Sequence, residues 1–138
     1  MLIWTIHLFF IVTLSCLSCS NVSDSHNLTK GAWVAIERNC SADSNCQDFG
    51  EKGRLEFEFY DNGTFFYRNT FPEYKDLPMT SRGEYKLASK ERISLRHLKR
   101  NRKIADEIII ISIDNKIALI KYQNEIFKMK KVWGLKTG

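Results

Sequence analysis

The stretch that decides the fold is residues 55–69, LEFEFYDNGTFFYRN. Its first half alternates apolar and acidic side chains, beginning with Leu55, Glu56 and Phe57, which is the period-two pattern of a strand with one buried face. The segment Asp61-Asn62-Gly63 follows, and these residue types tolerate the positive φ angles of a tight turn. The stretch therefore predicts a β-hairpin with an aromatic inner face.

Two registers are compatible with this hairpin, and the side chains distinguish between them. A two-residue turn at 62–63 would set Phe57 opposite Arg68, an aromatic residue against a charged one. A three-residue loop, with Gly63 as the left-handed bulge residue, pairs Phe57 with Tyr67 and keeps the aromatic rings on one face. We therefore predict the three-residue loop.

Further alternating segments surround the hairpin, and no helical periodicity follows the first 18 residues. These segments are 31–38, 83–87, a stretch around 93–97, 106–113, 116–122 and 125–133. Pro72 and Pro78 mark 70–79 as a long ordered loop or lid. About eight short strands at close spacing predict an all-β fold, an antiparallel up-and-down β-barrel that removes exposed sheet edges by closing.

The isoleucine-rich strand at 106–113 has apolar side chains on both faces. We expect Ile109, Ile111 and Ile113 to face the interior. This leaves Ile108 and Ile110 on the side that faces water in a simple barrel. The C-terminal residues, the N-terminal segment or a partner protein would then have to cover that side. The outer face of this strand is therefore one candidate partner surface.

The turn from Lys99 to Lys103 is a second candidate partner surface. Four of its five residues are cationic. Such a turn resists edge-to-edge aggregation and presents a basic tip to an acidic partner.

Residues 1–18 are interpreted as a lipoprotein-type signal peptide, because a short apolar run is followed by small residues and cysteines. The small residue before each Cys resembles the lipobox of bacterial lipoproteins, whose Cys receives fatty acids such as palmitate and becomes the new N-terminus. We predict lipidation at Cys19, with Cys16 as the alternative; a plain secretory signal and an uncleaved anchor helix are further alternatives. A tether at 19–27 and a barrel domain at 28–138 complete the predicted organisation.

The remaining two cysteines, Cys40 and Cys46, lie close together in a polar loop. An oxidising compartment would join them, so we predict a disulfide bond. No further soft ligands stand at a spacing that would suit a metal, and we predict no metal site. Export to the cell envelope, as a lipoprotein of the inner or outer membrane, fits these features together.

The net charge of +5 is unevenly distributed along the chain. Residues 1–74 hold five Lys or Arg and nine Asp or Glu, whereas residues 75–138 hold sixteen and seven. For an exported protein the anionic partners are lipid headgroups, envelope polysaccharide or an acidic protein, and no nucleic-acid partner is expected. A solubilising surface explains the same charge without a partner.

Four short motifs occur in order along the chain. They are Leu28-x-x-Gly31-x-Trp33, Leu55-x-Phe57-x-Phe59-x-x-x-Gly63-Thr64-Phe65, Gly83-x-Tyr85 and Ile93-x-Leu95. Taken together, they resemble the lipocalin-like lipoproteins of Gram-negative bacteria over about residues 28–132. The resemblance implies that Trp33 closes one end of the barrel and packs against a basic residue of the last strands, Lys130 or Lys131.

The side chains expected to line a ligand pocket or to fill the barrel are mainly aromatic and aliphatic. They are Trp33, Phe57, Phe59, Phe65, Tyr67, Tyr85, Ile109, Ile111, Ile120, Phe127 and Met129. One interpretation of His97 is a polar group that lines the barrel. We prefer an ordinary surface or half-buried histidine, because no nucleophile stands in a recognisable motif with it.

We therefore predict a non-enzymatic, membrane-anchored binding protein without a cofactor. The expected ligand is a small hydrophobic molecule held inside the barrel. The alternative is a protein-interaction module of the cell envelope, such as an inhibitor, an immunity protein or an assembly factor, with a filled barrel.

Overall fold

The computed structural model describes residues 23–39, 55–71, 74 and 76–134, and it confirms the predicted fold class. Its elements, in chain order, are α1 (Asp24–Leu28), β1 (Ala32–Arg38), β2 (Leu55–Phe59), β3 (Thr64–Asn69), β4 (Thr80–Leu87), β5 (Arg92–Lys99), β6 (Arg102–Ile113), β7 (Ile117–Tyr122) and β8 (Glu125–Val132). Each strand pairs antiparallel with the next, and β8 pairs with β1. The described part of the chain is therefore a closed, up-and-down, eight-stranded barrel.

The β2–β3 hairpin has the predicted register. Phe57 lies opposite Tyr67, and Phe59 lies opposite Phe65. Gly63 has a φ of 80°, the left-handed conformation that the three-residue loop requires. The aromatic rings consequently project together into the barrel, and all four are buried.

The barrel has two different ends. The end that carries α1 and the turns at 61–63, 88–91 and 114–116 is called the helix end here. The opposite end, which carries the segment 70–79 and the turns at 100–101 and 123–124, is called the loop end. Ser23, the first described residue, therefore lies at the helix end.

Short helix α1 closes the helix end, which corrects the tether predicted for 19–27 at its last four residues. Ser25 is fully buried, and its backbone N–H donates to the carbonyl of Lys90. Its hydroxyl donates to the carbonyl of Ser89 at 2.8 Å. Trp33 Nε1 donates to the carbonyl of Leu28 at 2.7 Å and ties the helix to β1. The fold thus begins before residue 28, because these backbone groups are satisfied by the barrel.

Trp33 is buried at the helix end, in the place that the lipocalin resemblance implied. The ammonium of Lys131, one of the two predicted partners, lies 5.7 Å from the centre of the Trp33 ring. A cation at this distance from an indole face is attracted by the ring quadrupole. Strand β8 is thereby held against β1 by a side-chain contact as well as by the backbone ladder.

The predicted orientation of the isoleucines in β6 is wrong, except for Ile113, whose side chain packs against the core. Ile108 and Ile110 are buried in the core, whereas Ile111 is 46% exposed and Ile109 is only half-buried. Neither Ile108 nor Ile110 can therefore serve as an outer partner surface, and neither Ile109 nor Ile111 lines the interior.

The error comes from the length of the β5–β6 turn. We predicted a five-residue tip at 99–103, which would set Ile93 opposite Ile109. The structure has a two-residue turn at 100–101, and Ile93 lies opposite Ile108 instead. Because side chains alternate along a strand, this shift of one residue exchanges the two faces.

Two β-bulges alter the alternation elsewhere. The register shifts between Ile110 and Ser112 in β6, so that Ile113 packs against the core after Ile111 has pointed outward. A second shift, between Ala35 and Glu37 in β1, turns Glu37 outward, within 3.9 Å of Lys128. Each bulge inserts one residue and reverses the face of those that follow.

In the described residues no helix is long and apolar enough to cross a membrane.

Gly83 provides a test of the packing inside the barrel. A Cβ atom at this position would lie 2.7 Å from Phe65 Cε1 and still closer to the carbonyl oxygen of Arg96. The Gly83→Ala variant should therefore lose about 3 kcal/mol of unfolding free energy, measured by urea denaturation.

Gly63→Ala is the matched control, because the space around Gly63 is open and only its positive φ opposes a side chain. It should cost about 1 kcal/mol. Equal losses in the two variants would contradict the packing at Gly83.

Candidate functional site

The predicted pocket residues, apart from Ile109 and Ile111, lie in the barrel interior and pack against each other. Trp33, Phe57, Phe59, Phe65, Tyr67, Ile120, Phe127 and Met129 are buried, and Tyr85 is partly buried against them. The Phe57 ring lies 5.3 Å from Tyr67 and 5.2 Å from Tyr122, centre to centre. These distances are those of direct aromatic contacts. The barrel is therefore occupied by its own side chains in this region.

The described residues of the segment 70–79 lie over the loop end. Phe71 and Leu77 are buried, and the Phe71 ring lies 5.8 Å from that of Phe127. The hydroxyl of Tyr74 donates to a carboxylate oxygen of Glu125. This segment brings apolar side chains into the mouth of the barrel and adds them to the core.

A chain of three polar side chains lies inside the barrel below this segment. Nδ1 of His97 is 2.9 Å from the hydroxyl oxygen of Ser81, and its Nε2 is 3.0 Å from Oδ2 of Asp106. His97 is fully buried, which corrects the prediction of a surface or half-buried histidine. The other carboxylate oxygen of Asp106 accepts a hydrogen bond from Gln123 Nε2 at 2.7 Å.

Strand register brings these three residues together. Gly83 lies opposite His97, and Leu95 lies opposite Asp106, so Ser81 and Asp106 are diagonal neighbours of the imidazole on either side. The missing side chain at Gly83 leaves room for the Phe65 ring, which meets the imidazole edge to face at 5.2 Å. The signal in the sequence is the alternation of side chains along β6. With a two-residue β5–β6 turn, this alternation points the Asp106 side chain inward, on the same side as His97.

The arrangement defines the tautomer of a neutral His97. The carboxylate of Asp106 accepts a hydrogen bond from Nε2–H, which leaves Nδ1 to accept the hydroxyl proton of Ser81. This is the donor order of a Ser-His-Asp triad with the two ring nitrogens exchanged. Ser81, however, is only 7% exposed and faces packed side chains, so the chain of hydrogen bonds serves to satisfy three buried polar groups.

Two tyrosines lie beside this polar chain. Tyr67 and Tyr122 are buried, and their hydroxyls lie near each other and near Asn69 and Asp106. Neither hydroxyl makes a hydrogen bond of normal geometry within the described residues. The Tyr67 ring packs edge to face on His97 at 4.6 Å. Burial raises the pKa of both phenols, and the nearby charge of Asp106 raises them further. Both tyrosines are therefore neutral at physiological pH.

The basic tip lies at the rim of the loop end. With the turn shortened to Arg100 and Asn101, Lys99 and Arg102 become the paired ends of β5 and β6. Together with Asp76 and Ile104, these four residues line an open groove of about 610 Å³ between the tip and the 70–79 segment. Nζ of Lys99 spans the groove and donates to the carbonyl of Asp76 at 3.2 Å.

The predicted lipidation sites, Cys19 and Cys16, and the predicted disulfide partners, Cys40 and Cys46, lie outside the described residues. Among the residues that the structure describes, no group of three or more His, Cys, Asp or Glu side chains is placed to hold a metal ion.

The chain matches no family model, no curated protein and no solved structure in the three comparisons made.

Removal of the central imidazole tests the buried polar chain. His97→Ala leaves the carboxylate of Asp106 without its buried donor and should cost about 3 kcal/mol of unfolding free energy. Ser81→Ala removes one terminal hydrogen bond and should cost about 1 kcal/mol.

Ser94→Ala, on the exposed face of the same strand, is the control and should leave the urea midpoint unchanged. A His97→Ala variant as stable as this control would show that the polar chain does not stabilise the barrel.

The buried phenols predict a loss of stability at alkaline pH. Below about pH 10, the ordinary pKa of a tyrosine phenol, Tyr67 and Tyr122 are neutral in both the folded and the unfolded chain. Above it the unfolded chain ionises first, so the folded state loses up to about 1.4 kcal/mol per pH unit for each buried phenol.

The double variant Y67F/Y122F should flatten this decline, measured by urea denaturation between neutral pH and about pH 11. At neutral pH it should change stability by about 1 kcal/mol or less, because neither lost hydroxyl makes a hydrogen bond of normal geometry. Parallel pH curves for the variant and the wild type would contradict the assignment.

Proposed function

We propose that this protein is an exported, lipid-anchored, lipocalin-like barrel that acts by binding rather than catalysis, and that its partner is an acidic protein bound at the rim of the loop end. One observation carries the proposal: the barrel interior is occupied by its own side chains, while the groove at the rim is open and basic. This is the protein-interaction alternative of the sequence analysis.

The packing of the interior argues for a partner on the outside. Phe65, Tyr67, Ile120 and Phe127 are fully buried among their neighbours. A small hydrophobic ligand would have to displace such side chains, and each displaced contact costs dispersion energy. Binding at the rim leaves this core intact.

The chemistry of the rim favours an acidic partner. Lys99, Arg100, Arg102 and Lys103 stand within one tight hairpin, and the last three are exposed. Guanidinium groups form paired hydrogen bonds with carboxylates, and a cluster of like charges accelerates encounter with an oppositely charged surface. The partly buried Ile104 adds an apolar contact in the same groove.

A second candidate function is the small hydrophobic ligand that the sequence analysis preferred. The observation in its favour is the 70–79 segment, whose Phe71 and Leu77 enter the mouth of the barrel from a loop instead of a strand. Outward movement of that loop would open the interior without breaking the strand ladder. Lipid that co-purifies with the full chain and is seen by native mass spectrometry would support this candidate.

The proposed rim is tested by charge reversal. A photo-reactive amino acid at Asn101, which is exposed at the tip, should cross-link an acidic protein in the native cell envelope. The triple variant R100E/R102E/K103E should lower the yield of that cross-link about tenfold or more, because like charges then face each other across the interface.

The variant K86E/K90E/K121E makes the same change in net charge at exposed positions away from the tip and is the matched control. It should leave the cross-link unchanged. An equal effect of both variants would attribute the binding to net charge. No effect of either variant would show that the tip does not bind the partner.

A further inference from the structure

The helix end carries a surface with a different composition from the loop end. Trp133 follows β8, and its side chain is 109% exposed, the highest value among the large apolar side chains in the described residues. It lines a groove of about 520 Å³ with Asn115, Lys116, Lys130, Lys131 and Val132. These six residues are called the Trp133 patch here.

The patch combines an indole with three ammonium groups, and no carboxylate lines its groove among the described residues. Two acidic residues lie near it. Asp114 uses one carboxylate oxygen to accept the backbone N–H groups of Lys116 and Ile117, and Glu58 lies beside Gly134. The three lysines outnumber these two acids, so the patch is net basic.

The patch lies on the same end of the barrel as Ser23, the first residue that the structure describes. Ser25 is held against the turn at 88–91 by hydrogen bonds to Ser89 and Lys90, and residues 1–22 precede it in the chain. Any membrane attachment made through that segment therefore brings the helix end toward the bilayer. The lysine-rich groove and Trp133 would then be the parts that meet the lipid.

We propose that the Trp133 patch docks on a bilayer with anionic headgroups, with the indole of Trp133 at the interface and the lysines facing the phosphates. Tryptophan side chains favour the headgroup region because the ring is amphipathic. Lysines near an anionic leaflet each add favourable electrostatic energy that salt screens. The inference extends the anchoring part of the proposed function, and it does not depend on partner binding at the loop end.

Docking in this orientation has a consequence for the rest of the molecule. The helix end lies against the membrane, and the basic tip at Arg100 and Asn101 points away from it, since β5 and β6 run between the two ends. The partner surface is then accessible from the aqueous side of the membrane.

The test measures the depth of Trp133 in vesicles with the lipidated chain purified from membranes. Cleavage before Cys19 removes Trp4, which leaves the buried Trp33 and the exposed Trp133 as emitters. Vesicles of phosphatidylcholine, with or without phosphatidylglycerol, carry lipids brominated along their acyl chains, which quench a tryptophan only at short range.

We expect strong quenching in the phosphatidylglycerol vesicles at low salt, and weaker quenching in neutral vesicles or at high salt. Trp133→Phe should remove the quenched component and leave the emission of Trp33. The variant K116E/K130E should reduce quenching to the level seen with neutral vesicles, whereas K86E/K121E, which changes exposed lysines outside the patch, should not.

Sedimentation of the vesicles separates this inference from the proposed function. A chain that sediments with the vesicles but shows the same quenching in the Trp133→Phe variant would overturn docking of the patch and leave anchoring intact. A wild-type chain that stays in solution would overturn both docking and anchoring. Quenching that persists in R100E/R102E/K103E would show that docking is independent of partner binding.

Discussion

Closure of the barrel through the pairing of β8 with β1 is the constraint on which the other features depend. A closed sheet leaves each strand a single register, because any shift must be taken up by a bulge or a turn. In this barrel the shifts of register occur at the bulges in β1 and β6 and at the two-residue β5–β6 turn. They determine which side chains of the adjoining strands face the interior.

The interior that results is mostly aromatic, with one buried chain of polar groups. Ser81, His97 and Asp106 satisfy each other's hydrogen bonds, so their burial costs less than it would for isolated groups. Gly83 makes room for this arrangement by adding no side chain between Phe65 and His97. The polar chain and the aromatic packing are therefore one structural unit, and together they leave the surface of the barrel as the place where binding is proposed.

The two ends of the barrel carry different side chains and therefore different candidate binding surfaces. The helix end is closed by α1 and carries Trp133 with the lysines around it. The loop end is covered by the 70–79 segment and carries the basic tip. A barrel with adjacent strands running in opposite directions supports both surfaces on rigid elements, about one strand length apart.

The sequence by itself determined the hairpins whose turn chemistry and inward faces agree. The β2–β3 register was predicted, because only one turn length placed the aromatic residues together on one face. Only the tertiary structure decided the orientation of β6. Isoleucines occupy both of its faces, and the side chains paired across the β5–β6 turn did not favour one turn length. That orientation places Asp106 inside the barrel beside His97, and it also buries Ile108 in the core. Local alternation specifies a strand, whereas the face that turns inward is selected by pairing with neighbours distant in sequence.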